Sequence, residues 1–163
     1  MSRGISTAMA VKGILLFGDK NLQRVSRNVE KIDDDIKNLI NDLRDTLRAA
    51  PGIGLAAPQI GALKKVVIID MKDGSSEIVL INPKIVKKSG KEKNSEGCLS
   101  YPGFEGIVER PKRVVVKALN INGEEIEVKG EGLLARALCH EIDHLDGVLY
   151  IDKAKKIYRL EEE

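Results

Sequence analysis

The sequence predicts an α+β fold: a single domain in which antiparallel or mixed β-sheets pack around a central helix. Three observations carry that expectation. Residues 33–50, DDDIKNLINDLRDTLRAA, repeat apolar side chains at helical spacing. Two pairs of β-branched segments are each joined by turn residues. Residues 131–147, EGLLARALCHEIDHLDG, read as a second helix that contains both histidines of the 163-residue chain. Helices and runs of strands in that order, with no repeat or linker between them, describe one α+β domain.

The first helix places Ile36, Leu39, Ile40, Leu43 and Leu47 on one face behind Asp33, a good N-cap, and Pro51-Gly52 ends it. The segments VVIIDM and EIVLIN flank KDGSS, and RVVVKALNI and EEIEV flank Asn122-Gly123, a strong hairpin signal, so both pairs are expected as antiparallel strands. The second helix carries Leu133, Ala137, His140 and His144 along one stripe, with Gly147 as the residue that terminates it.

Composition limits the function. One domain of this length buries enough surface to need no disulfide staples, and two cysteines make no disulfide framework. No apolar run approaches a membrane span or a signal-peptide core, so a reducing cytoplasm is expected, with no membrane partner. With 27 basic and 25 acidic residues the net charge of +2 argues for no specific nucleic-acid binding. The opening MSRGISTAMA, residues 1–10, reads as an extension, disordered or left over from expression, ahead of a catalytic domain at 11–163. The end, KAKKIYRLEEE, reads as a solvated tail. Charged residues at 32%, with two cysteines and two glutamines, lean towards heat adaptation.

The chemistry lies in CHEIDHLDG, residues 139–147. Histidines four apart share a helical face and present two imidazoles to one point, and the glutamate between them, Glu141, is placed as general base on an attacking water, as in zinc peptidases. A third ligand is required. The longer pattern H-E-x-x-H-x-x-G-x-x-H ends here on Tyr150, and the only downstream glutamates are in the tail, so the ligand must come from upstream. Cys139 points about 100° away from His140 and reads as a small core residue. Cys98, in NSEGCLSYPG, lies in a Gly- and Ser-flanked stretch between strand regions. It is either an inert buried cysteine or a thiolate that completes a Cys/His/His site with a fourth position left open. PGIGLAAPQIG, residues 51–61, is either a tight turn or a close backbone approach to substrate with Gln59 offering an amide N–H.

Taken together, GIGLAAPQ, EGCLS and HEIDHLDG, in that order from about Val11 to Asp152, closely resemble the three signature motifs of the peptide deformylases. The resemblance implies removal of the N-formyl group from the initiator methionine of nascent polypeptides, with release of formate. It makes Cys98, His140 and His144 ligands of one divalent metal ion, Fe(II) physiologically, with Zn(II), Ni(II) or Co(II) as replacements. Glu141 becomes the acid/base, and Gln59 with the backbone N–H of Leu99 the oxyanion donors. Ile53, Gly54 and Leu55 form the edge that pairs with the peptide, Gly97 shapes the cysteine motif, Glu96 stands behind the ligands, and Leu133 walls the methionine pocket. The partners implied are N-formylmethionyl nascent peptides, met near the ribosome. Two departures stand out. Glu105 occupies a position where many relatives carry arginine, and Arg136, one turn before His140, reads as a surface side chain whose stem snorkels. A peptidase that cleaves internal bonds is the alternative reading of HExxH.

Overall fold

The computed structural model describes residues 11–160. The extension at 1–10 and the acids 161–163 lie outside the described residues. Helix α1 spans Asp34–Arg48, and its N-cap Asp33 accepts a hydrogen bond from the Ile36 N–H at 3.1 Å. A five-stranded antiparallel sheet follows, in the order β1 (Gly54–Ala56), β2 (Val66–Ile69), β3 (Ile78–Ser89), β6 (Arg113–Leu119), β7 (Glu125–Glu131). A three-stranded antiparallel sheet contains β4 (Glu92–Cys98), β5 (Tyr101–Arg110) and β8 (Lys156–Arg159), in the order β4-β5-β8. Helix α2 (Leu133–Leu145) and the single turn α3 (Tyr150–Lys153) complete the α+β domain.

The run VVII explains how the layers stack. Every residue of β2 is buried, which alternation on a one-sided sheet would not allow. Val66 and Ile68 pack with Ile36, Ile40, Leu43 and Leu47 of α1. Val67 and Ile69 face the other way, towards Ala135, Leu138, Cys139 and Leu145 of α2. The sheet therefore lies between the two helices, and α2 is sandwiched between this sheet and β5 of the smaller one. Cys139 is a buried core residue, as its spacing predicts.

The helix that carries HExxH is held at both ends. Gly132 N–H donates to Lys112 O at 2.9 Å, which ties the start of α2 to the β5–β6 connection. At the far end Gly147 adopts φ +75°, and a Cβ there would lie 2.6 Å from the backbone of Gln23. Glycine is thus required twice over, for the left-handed turn and for the close approach of the N-terminal segment.

Two expectations change. The tail is not merely solvated: β8 pairs with β5, Phe104 opposite Arg159 through Ile107 opposite Lys156, while its side chains stay exposed. The stretch around Cys98 is a hairpin of its own, with Cys98 closing β4 opposite Tyr101 and the turn at Leu99–Ser100.

Candidate active site

The cavity beneath that hairpin has a volume of about 680 Å³ and is lined by residues from five elements. Gly52, Ile53 and Gly54 come from the β1 edge, Gln59 from the short turn of helix after it, Glu96 to Leu99 from β4, and Leu133, Arg136, Ala137, His140 and Glu141 from α2. The outer rim is apolar, with Tyr101, Phe104 and Leu160.

At its base Cys98, His140 and His144 bring one donor atom each within 4.8 Å of one another. Cys98 Sγ lies 3.4 Å from His144 Nε2. An ion bound tetrahedrally at ordinary metal–sulfur and metal–nitrogen lengths separates such a pair by about 3.6 Å, so the donors are spaced for a single divalent cation. The chemistry of the set, one thiolate and two imidazoles, suits iron, cobalt, nickel or zinc.

Behind the ligands sits a buried charge network. His140 Nδ1 is 2.8 Å from Glu96 Oε1, which leaves Nε2 as the nitrogen that would hold an ion. Arg110 grips both oxygens of the same carboxylate at 2.8 and 2.9 Å, and Arg136 adds a third bond at 2.7 Å. Burial alone would push the Glu96 carboxyl up, but the hydrogen bonds from Arg110 and His140 overturn it and hold the acid far below the carboxylate range. Arg110 also reaches Asp143 at 2.6 Å, and its guanidinium is held more firmly protonated by the two acids against the cost of burial. Arg136 is therefore no surface residue: it is 5% exposed, and besides Glu96 it donates to the carbonyls of Val108 and Glu92. A buried carboxylate needs cations within reach, and one arginine of β5 does not fill its lone pairs; the second comes from α2.

Glu141 stands on the other side. Its carboxylate is 4.0 Å from His140 Nε2, and Oε1 is buried with no hydrogen-bond partner among the described residues. Burial drives its pKa up to about 7, an acid able to give and take a proton near neutrality. The imidazoles divide. Burial and the neighbouring His140 depress His144 well below its ordinary value, while Glu141, Cys98 and Glu96 raise His140 against the effect of burial.

Gln59, 1% exposed, is oriented without ambiguity. Ala56 N–H donates to it at 2.9 Å, so that atom is Oε1, and Nε2 is turned towards Ser100 Oγ at 3.1 Å and Cys98 Sγ at 3.7 Å. Ser100 N–H in turn donates to Cys98 Sγ at 3.4 Å. Of the residues singled out from sequence, Leu55 alone has its side chain turned away from the cavity, fully buried under α1; its backbone remains in the β1 edge. His144 lies behind the cavity lining, and Leu133, 59% exposed, stands at the mouth. Sequence reasoning missed Ser100, Arg110 and Asp143. Arg136 carried a usable signal, one turn ahead of His140 on the same face.

Comparison with known proteins agrees in its extent as well as its identity. A family model for polypeptide deformylase matches residues 11–160, and thus takes in β8, beyond the motifs. The peptide deformylase of Acetivibrio thermocellus is 57% identical over 145 residues, 89% of this chain and 84% of the relative. That of Natranaerobius thermophilus is 53% identical over 156 residues, 94% of this chain and 99% of the relative. The crystal structure of a Legionella pneumophila peptide deformylase superposes with a TM-score of 0.86 at 44% identity, covering 89% of this chain and 86% of the other. One from Synechococcus elongatus, in complex with actinonin, gives 0.84 at 41% identity, with 88% and 78% covered.

Proposed function

The chain belongs to the polypeptide deformylase family, and we propose how its own residues perform the reaction. It is a metal-dependent hydrolase that removes the N-formyl group from the initiator methionine of nascent polypeptides and releases formate. The observation that carries the assignment of roles is the convergence of Cys98, His140 and His144 on one point, with Gln59 and Glu141 in the same cavity, beside the end strand of the larger sheet.

The substrate chain lies against Ile53 and Gly54 on the β1 edge, which among the described residues has no strand partner on its outer side, with the methionine side chain towards Leu133 and Ala137. When bound by Cys98, His140 and His144, a divalent ion supplies Lewis acidity to the formyl carbonyl and to water. Fe(II) is the physiological ion in this reading, and Zn(II), Ni(II) and Co(II) fill the same donors. The unpaired oxygen of Glu141 takes a proton from the attacking water. As the tetrahedral centre forms, Gln59 Nε2, fixed by Ala56, and the Leu99 N–H meet the oxyanion. Glu141 then hands the proton to the methionine nitrogen, the C–N bond breaks, and formate leaves. Glu96 holds His140, and Gly97 leaves the floor of the cleft bare for the peptide. Free Cys98 and Cys139 are at home in a reducing cytoplasm, where the formylated chain end is met as it leaves the ribosome. Among the described residues no helix is long and apolar enough to cross a membrane.

Formyl-Met-Ala and acetyl-Met-Ala, offered side by side with a longer unblocked peptide, test the reading. Formate from the first alone is expected. Cleavage of an internal bond would turn the assignment to a peptidase.

A further inference from the structure

Ser100 ends the turn that follows Cys98, and it is fully buried although it is neither ligand nor base. Each of its polar groups meets the site or what holds the site. The Oγ accepts a hydrogen bond from Gln59 Nε2 at 3.1 Å, and the N–H donates to Cys98 Sγ at 3.4 Å. The carbonyl accepts from the Phe17 N–H at 2.7 Å, and two residues earlier the Leu15 N–H donates to the Gln59 carbonyl at 2.8 Å. Ser100 and Gln59 are therefore tied twice, hydroxyl to amide and backbone to backbone through one N-terminal segment.

The side-chain tie is the one that bears on the reaction. A carboxamide bonded at one end is free to twist about its side-chain axis, whereas bonds at both ends fix its plane. Gln59 Oε1 is held by the Ala56 N–H at 2.9 Å, and Ser100 holds the nitrogen end. Nε2 carries two hydrogens. With one committed to Ser100, the other is left for the side of Cys98, whose sulfur lies 3.7 Å from Nε2. Remove the hydroxyl, and a buried N–H has lost its acceptor; among the described residues the Cys98 sulfur is the acceptor that remains to it.

We propose that Ser100 is a positioning residue for deformylation: its hydroxyl fixes the plane of the Gln59 carboxamide, so that the free N–H meets the oxyanion and is not captured by the ligand sulfur. The inference rests on the deformylase reading above and deepens it. Ser100 does not line the cavity, whereas Gln59 does, so the hydroxyl acts through Gln59 and not on the substrate. An oxyanion forms only on the way to the transition state, so the effect falls on kcat and leaves KM unchanged. Loss of a whole oxyanion donor costs about 10²- to 10³-fold in kcat, and a donor that is present but turned loses part of that, about tenfold.

Four proteins test it: wild type, Ser100→Ala, Gln59→Ala and the double variant. Formate release from formyl-Met-Ala gives kcat and KM, and metal content and melting temperature are measured on the same preparations. Ser100→Ala is expected to keep its fold, its metal and its KM while kcat falls about tenfold. In the Gln59→Ala background the same substitution costs less than about twofold, whereas a hydroxyl with a structural role costs the same in both backgrounds. Ser100→Ala with near wild-type kcat would overturn the proposal. So would equal losses in the two backgrounds, or a loss that lies in KM, in metal or in the fold. Gln59→Ala with near wild-type kcat would overturn the role given to Gln59 and this inference with it, while the deformylase reading stands. That reading itself falls if the wild-type enzyme yields no formate.

Discussion

Replacing Gly54 by alanine adds one methyl group, and the structure says where it goes. The new Cβ would lie 2.6 Å from Glu141 Oε2, 2.9 Å from its Cγ and 3.0 Å from its Cδ. Comfortable heavy-atom contact begins near about 3.5 Å, so the carboxylate must retreat by roughly 0.9 Å. Glu141 is only 5% exposed and cannot swing into solvent to make room. Gly54 needs no left-handed backbone, so alanine is tolerated there conformationally, and the metal donors are not touched. A displacement of about 1 Å in a catalytic group costs on the order of 10²-fold. Gly54→Ala is therefore expected to lose about 10²-fold in kcat with melting temperature and metal content close to wild type. Steady-state formate release, thermal unfolding and elemental analysis on one preparation measure all three. A variant that keeps its metal and turns over within threefold of wild type would refute the placement of Glu141 against the β1 edge.

Two further outcomes follow from the network and from the ion. Glu96→Gln leaves Arg136 buried without its anion and Arg110 with Asp143 alone, which costs about 3–5 kcal/mol, or a melting temperature lower by about 10 °C. The folded-state pKa of Glu96 is depressed, so its stabilisation is fully present above the unfolded value near about 4.3 and is lost progressively as pH falls from there towards the depressed folded value; the gap between wild type and variant in urea unfolding should be full at neutral pH and narrower, though not closed, at about pH 3. Iron-loaded enzyme should lose activity in air as metal and the Cys98 thiolate oxidise, whereas zinc-loaded enzyme persists; equal turnover and equal persistence of both forms would remove the case for Fe(II).

What could be read from the chain was whatever has a period. Helix α1 announces itself through Ile36, Ile40, Leu43 and Leu47 on its apolar face, and α2 through the stripe Leu133, Ala137, His140 and His144 that ends at Gly147, although that stripe borders the site and the apolar face packed on the sheet is Ala135, Leu138, Cys139 and Leu145. The β6–β7 hairpin is visible in Asn122-Gly123. The hairpin β4–β5 is hidden, since EKNSEGC has hardly an apolar residue; it is held by pairing to β5, and its buried side chain is the charged Glu96. The same reason conceals β8, four exposed residues that become a strand only because β5 offers an edge. Within the site, residue types disclose ligands and base, for a thiol, imidazoles and a carboxylate have few other reasons to converge. Arg110 and Arg136 do not disclose themselves, because whether an arginine is buried depends on an acid far away in sequence.

The central claim is that Glu141 moves the proton while Cys98, His140 and His144 hold the ion, and Glu141→Gln tests it most directly. The amide keeps the shape of the side chain and loses the basic oxygen that the structure leaves unpaired in the cavity. Metal content and formate release are measured on the same preparation. The account predicts metal retained at the wild-type level and a turnover rate lower by at least about 10²- to 10⁴-fold. A Glu141→Gln enzyme that holds its metal and deformylates at near the wild-type rate would contradict it.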